Sequence, residues 1–173
     1  ALSDVTYKTV SDYLELSTGE HRFQISPAGK TEPIVIDATA TLEGGKAYTV
    51  AATGLLGADD LKPLVLVDNL SMETYEAKVR FVHTSPDAPA VDVAQQAGPV
   101  LFGDVSFREG SEYINLPGET YDLEVRVAGT ENVALSLPDV KLEEGTNYTV
   151  FAIGTLEGET LEALPVVDTS KDK

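Results

Sequence analysis

Leu42-Glu43-Gly44-Gly45-Lys46-Ala47-Tyr48-Thr49-Val50 returns one hundred positions later as Leu142-Glu143-Glu144-Gly145-Thr146-Asn147-Tyr148-Thr149-Val150. Downstream, the same register pairs Ala52, Gly54 and Leu56 with Ala152, Gly154 and Leu156, and then Leu61, Leu64, Val67 and Asp68 with Leu161, Leu164, Val167 and Asp168. Upstream it pairs Asp4-Val5 with Asp104-Val105, and Ser11, Tyr13 and Leu16 with Ser111, Tyr113 and Leu116. A one-residue slip in the turns near Gly19 and Gly118 is made good by Ala28-Gly29, which falls over Ala128-Gly129. So many glycines, tyrosines and leucines in one register mark two copies of one module, because self-similarity at a fixed period is the imprint of a tandem unit. The junction falls in Ser71 to Glu76, which gives a first module over residues 1–72 and a second over 73–173.

Within a copy the apolar period is two. In Tyr121-Asp122-Leu123-Glu124-Val125-Arg126-Val127, the odd positions are apolar and the even ones charged, the pattern of a half-buried strand. Val79 to Val82, Ala90 to Val93, Tyr113 to Leu116 and Tyr148 to Ile153 read as further strands. Turn signals such as Pro117-Gly118-Glu119, Ala128-Gly129-Thr130 and Glu144-Gly145-Thr146 punctuate them about every ten residues. No window sustains an i, i+3, i+4 pattern. The expected fold is therefore all-β, as two tandem immunoglobulin-like β-sandwich modules.

Composition narrows the function. The 173 residues carry 29 acidic and 12 basic side chains, for a formal charge of -17. Such a surface repels a phosphate backbone or an anionic membrane face, so nucleic acid is not an expected partner. With no cysteine there are no disulfides, thiolate metal sites or thiol nucleophiles, and the compartment stays open. No apolar run approaches the roughly 20 residues of a membrane-spanning helix. The first residues, Ala1-Leu2-Ser3-Asp4-Val5, show no basic-then-apolar signal, which does not argue for the cytoplasm, since a removed signal peptide would leave the same picture.

The repeat also exposes a gap. The second copy opens with Val79 to Val93, a strand, a turn and a second strand, for which the first copy has no counterpart. A sandwich without its roughly twenty opening residues is left with an unpaired edge and an uncovered core. Three explanations stand side by side: a trimmed first module, a module that manages with fewer strands, or a strand supplied by another subunit.

Val79-Arg80-Phe81-Val82-His83-Thr84-Ser85-Pro86-Asp87-Ala88-Pro89-Ala90-Val91-Asp92-Val93 resembles the opening signature of the bacterial and archaeal family DUF4397. Tyr121 to Gly129 and Tyr148 to Gly154 resemble its inner strands, and Asp4 to Tyr7 with Ser11 to Leu14 its early middle. The resemblance implies an extracellular or cell-surface location and carries no reaction. Its signature residues here are His83, Ser85, Pro86, Asp87, Pro89 and Asp92; the first module lacks that opening.

His83, Ser85 and Asp87 supply the residue types of a hydrolytic triad, but strand residues two apart stand some 6 to 7 Å apart, whereas triad partners lie within about 3 Å. The expectation is a hairpin corner, with proline fixing φ and the Ser or Asp side chain capping amides of the turn. His83 reads as a packed or turn-bonded imidazole and His21 as a solvated one. Gly57-Ala58-Asp59-Asp60 and Glu157-Gly158-Glu159 lack the spacing of a calcium loop and read as solvated tips. Asp87 and Asp92 remain candidates for a cation site with backbone carbonyls. Asn69-Leu70-Ser71 and Asn147-Tyr148-Thr149 match the glycosylation triplet weakly. The recurring tyrosines, among them Tyr13, Tyr48, Tyr113 and Tyr148, are assigned to packing. No cofactor fingerprint is present, and the metal question stays open. The expected function is a non-enzymatic structural, spacer or adhesive role at the cell surface, with self-association or surface components as partners. The alternative is a binding module for a polysaccharide or a surface protein.

Overall fold

Alternation of period two over short segments leaves each strand with one apolar face to bury, and thirteen strands carry out that burial without a helix among the described residues. The computed structural model describes residues 2–58 and 60–170. They form two units, Ala1–Asp68 and Asn69–Lys173.

The first unit holds β1 (Gly19–Ile25), β2 (Ile36–Leu42), β3 (Ala47–Thr53) and β4 (Lys62–Asp68). These are two antiparallel pairs: β1 with β2 in register Gly19 to Leu42, and β3 with β4 in register Ala47 to Asp68. The second unit holds β5 (Glu76–His83), β6 (Val91–Gln95), β7 (Val100–Val105), β8 (Glu109–Gly110), β9 (Ile114–Pro117), β10 (Thr120–Val127), β11 (Val133–Lys141), β12 (Thr146–Ile153) and β13 (Glu162–Ser170). One sheet runs β11-β10-β6-β7; the other runs β13-β12-β5-β8, with β9 also on β5.

The two sheets of the second unit close on a single core. Ala77, Val79 and Phe81 of β5 and Tyr148 and Ala152 of β12 pack against Val91 and Val93 of β6, Phe102 and Val105 of β7, and Tyr121 and Val125 of β10. At about 1.5 to 3 kcal/mol for each fully buried large apolar side chain, this cluster is the main source of the unit's stability. Burial pushes the Tyr121 hydroxyl up to about 12, and that hydroxyl donates to the Pro117 carbonyl at 2.9 Å. The expected all-β class is what the structure has.

Val79 to Val93 is not a hairpin. β5 pairs with β12 in parallel, Asn147 opposite Lys78 and Ala152 opposite His83, and lies in one sheet; β6 pairs with β10 and β7 in the other. The Ser85-Pro86-Asp87-Ala88-Pro89 corner carries the chain across the sandwich, because both faces of β5 are buried and a hairpin partner beside it would displace β12 or β9. The unit's leading edge is tied down by side chains: Asn147 donates through Nδ2 to the carbonyls of Asn69 and Ser71 at 2.8 and 2.9 Å, and Lys78 Nζ donates to Ser71 O at 2.7 Å.

Candidate functional site

The signature residues gather at the end of the second unit where β5 crosses to β6. His83 is fully buried, and both ring nitrogens are engaged with backbone. Nε2 donates to the Pro89 carbonyl at 3.0 Å, and Nδ1 accepts the Ser85 amide at 3.3 Å. That pairing fixes a neutral imidazole, and burial, the larger influence, holds its pKa below the ordinary 6.5 against the opposing pull of the Pro89 carbonyl. The ring meets Phe107 edge-on, with centroids 6.3 Å apart.

Ser85, also fully buried, turns its hydroxyl to Asp87 Oδ1 at 3.3 Å. Asp87 does not cap its own turn alone. Its two oxygens accept the amides of Leu156 and Glu157 at 2.8 and 2.9 Å, in the loop between β12 and β13, and those amides hold its carboxyl below the ordinary 3.8. The expectation of a local cap is corrected by this reach across about seventy positions of sequence, which follows from the parallel β5–β12 pairing that brings the two corners side by side. Asp92 is spent in the same manner on the Asp104 and Gly129 amides, at 2.7 and 2.8 Å. Pro86 and Pro89 stand at the bend, Pro89 supplying the carbonyl for His83. The structure therefore brings His83, Ser85, Pro86, Asp87 and Pro89 together and places Asp92 beside β7 and the β10–β11 turn, with Asp87 and Asp92 each clasping amide groups instead of sharing a cation site.

Beside His83 a recess of about 200 Å³ opens, lined by Ser85, Val125, Leu135, Ala152 and Leu161 with Glu162 among its margins. Its walls are mainly apolar. No group of three or more His, Cys, Asp or Glu among the described residues is placed to hold a metal ion. Asp59 lies outside the described residues, so the Gly57 to Asp60 tip is described only in part. Of the two glycosylation triplets, Asn147 is fully buried in β12, where no sugar reaches it.

A second constellation escaped motif reading. On the outer face of β5, buried Arg80 donates through Nε to Thr149 Oγ1 at 2.8 Å, Thr149 donates to Asp168 Oδ2 at 2.7 Å, and Tyr113 donates to the same oxygen at 3.1 Å. The guanidinium also lies 4.9 Å from the centre of the Tyr113 ring. The first unit repeats the acceptor half: Tyr13 and Thr49 donate to Asp68 Oδ2 at 2.7 and 2.8 Å. The signal was in the repeat, which pairs Tyr13 with Tyr113, Thr49 with Thr149 and Asp68 with Asp168.

Fold and site together define a tandem all-β protein whose distinctive motif binds its own backbone. The chain belongs to the family described as Domain of unknown function (DUF4397), whose sequence model matches residues 1–94 and 77–173. No curated protein matches it. Among solved structures it is similar to the C-terminal domain of AlgF from P. aeruginosa, at 17% identity and a TM-score of 0.42, over 54% of this chain and 98% of that domain. That likeness is too slight to bear on function.

Proposed function

We propose that the chain is a non-enzymatic structural, spacer or adhesive element of the cell surface, built from immunoglobulin-like modules. One observation carries the reading: the polar groups of the signature are spent on the protein's own backbone. His83 offers neither nitrogen to a substrate, and the Ser85 hydroxyl faces a carboxylate and not the imidazole, so the order of hydrogen bonds that activates a nucleophile is absent. An acidic chain suits exposure outside the cell, where charge keeps a tandem array soluble.

The runner-up is a binding module. The recess beside His83 favours it, and its apolar walls suit a hydrophobic side chain of a surface protein better than a polysaccharide, which needs polar groups and exposed aromatic platforms. Two measurements test the leading reading. Incubation with model esters, peptides and glycosides is expected to give no turnover above buffer, and shaving intact source cells with protease is expected to remove the protein. Turnover that His83→Ala abolishes, or a protein protected from the protease until lysis, overturns it.

A further inference from the structure

The recess beside His83 has a rim as well as a floor. Buried Ala152 and Val125 line it together with half-buried Leu161, and about 200 Å³ is left unfilled. That is room for one aromatic ring or one leucine side chain, since roughly 150 Å³ of apolar cavity holds benzene. Two further lining residues reach solvent, Val133 at 46% exposed and Leu156 at 42%, so apolar surface continues from the recess onto its rim. A free small molecule of the recess volume leaves that rim wet. A side chain carried on a polypeptide covers both.

The rim is preformed. Asp87 holds the Leu156 and Glu157 amides at 2.8 and 2.9 Å. The loop also closes on itself: the Thr160 amide donates to the Thr155 carbonyl, and the Thr155 amide to Thr160 Oγ1, each at 3.0 Å. Little ordering entropy is then left to lose on binding. His83, Ser85 and Pro89 line the recess, so the signature segment both walls it and, through Asp87, fixes Leu156 at its edge.

Charge narrows the occupant. Glu162 lines the recess, and Glu157 and Glu159 lie on the same loop as Leu156. Glu131, next to the lining residue Asn132, shares Arg126 with Glu124, which leaves two carboxylates to one guanidinium. Residues 127 to 170 contain one cation, Lys141, and it pairs with Glu143 at the far end of β11. Arg108 lies over the Phe107 ring just before β8, on the opposite flank of that sheet from β13. The recess also stands at the end of β5 away from Asn69 and Ser71, roughly 25 Å along an eight-residue strand. We infer, on the binding-module reading given above as the runner-up, that the recess docks a polypeptide segment of another protein. That segment presents a side chain of phenylalanine or leucine size flanked by lysine or arginine.

The test titrates the nitrogen-15-labelled 173-residue chain with the peptide acetyl-KKFKK-amide at low ionic strength and follows amide chemical shifts. Saturable shifts are expected at Val133, Leu156 and Leu161. Acetyl-KKSKK-amide and acetyl-EEFEE-amide are each expected to bind about tenfold more weakly or worse, the first for want of the anchor and the second through repulsion at the rim. Leu156→Ser, at an exposed position, is expected to weaken KKFKK binding several-fold while leaving the circular dichroism spectrum unchanged. Equal binding of KKSKK or EEFEE, or shifts confined to other surfaces, overturns the proposal. So does phenethylamine binding as tightly as KKFKK, because the occupant is then a small molecule. If acetyl-GGFGG-amide matches KKFKK, the basic partner is wrong and the binding-module reading stands. If no peptide moves the recess amides, the proposal falls and that reading loses its support.

Discussion

The two units carry the same strands at their C-terminal ends and bury them to different depths. β10 through β13 and β1 through β4 share glycines, tyrosines and leucines in one register, yet Val125 is enclosed while Ile25 is not. The difference lies in β5 and β6. Strand pairs that alternate apolar and polar residues form readily, but they become a core only when the central strands of both sheets are in place between them.

That comparison is easiest to break in the second unit. Gly154 adopts φ +85° and a Cβ there would lie 2.0 Å from the Thr160 carbonyl oxygen, so Gly154→Ala is expected to cost more than about 4 kcal/mol and to prevent the β12–β13 corner from forming. Circular dichroism and denaturant titration read this directly; a variant as stable as the parent would show that the corner yields. His83→Ala follows, at about 2 to 4 kcal/mol, since it opens a cavity and leaves the Pro89 carbonyl and Ser85 amide without their partner. The loss should appear only in the second unit's unfolding transition. An equal shift in the amide protection of β1–β4 would mean that the units are not separately stabilised.

Paired truncations sharpen the point. Val125→Ala is expected to cost about 2 kcal/mol and Ile25→Ala less than about 1 kcal/mol. Equal costs would say that the open face of the first unit is covered in solution. The smallest effect is on pH dependence. The folded state holds His83 below its ordinary 6.5, so above 6.5 neither state binds its proton, and as pH falls through 6.5 the unfolded chain takes it up first. Stability of the second unit should therefore decline below 6.5, and again below 3.8 where Asp87 begins to be protonated in the unfolded chain. His83→Gln is expected to flatten the upper slope; an unchanged slope assigns it to other groups.

The all-β class, the repeat and several strands were legible because period two and turn residues are local signals. Sheet membership was not. Val79 to Val93 reads as a hairpin because nothing local says that β5 has a partner almost seventy positions away, and the same blindness hid Asp87's grip on Leu156 and Glu157. The Tyr113, Thr149 and Asp168 cluster shows the opposite case. Each residue was visible as a repeated position, but repetition alone gives no distance, and only the register of β12 with β5 and β13 shows that they share one carboxylate oxygen.

The parallel pairing of β5 with β12 also orders events in time. In the first unit the described strand pairs join segments adjacent in sequence, so each ladder can close as soon as its hairpin exists. In the second, the strand made first has its ladder partner in nearly the last strand made, with Asn147 opposite Lys78. During synthesis β8 and β9 can pair with one edge of β5, but its other edge, beside buried Val79, Phe81 and Val82, stays open until β12 leaves the ribosome. High contact order of this kind slows folding and lengthens the exposure of an aggregation-prone strand. Lys78 and Arg80 place two cations within that strand, the kind of charge that opposes strand-to-strand aggregation before the finished module buries them.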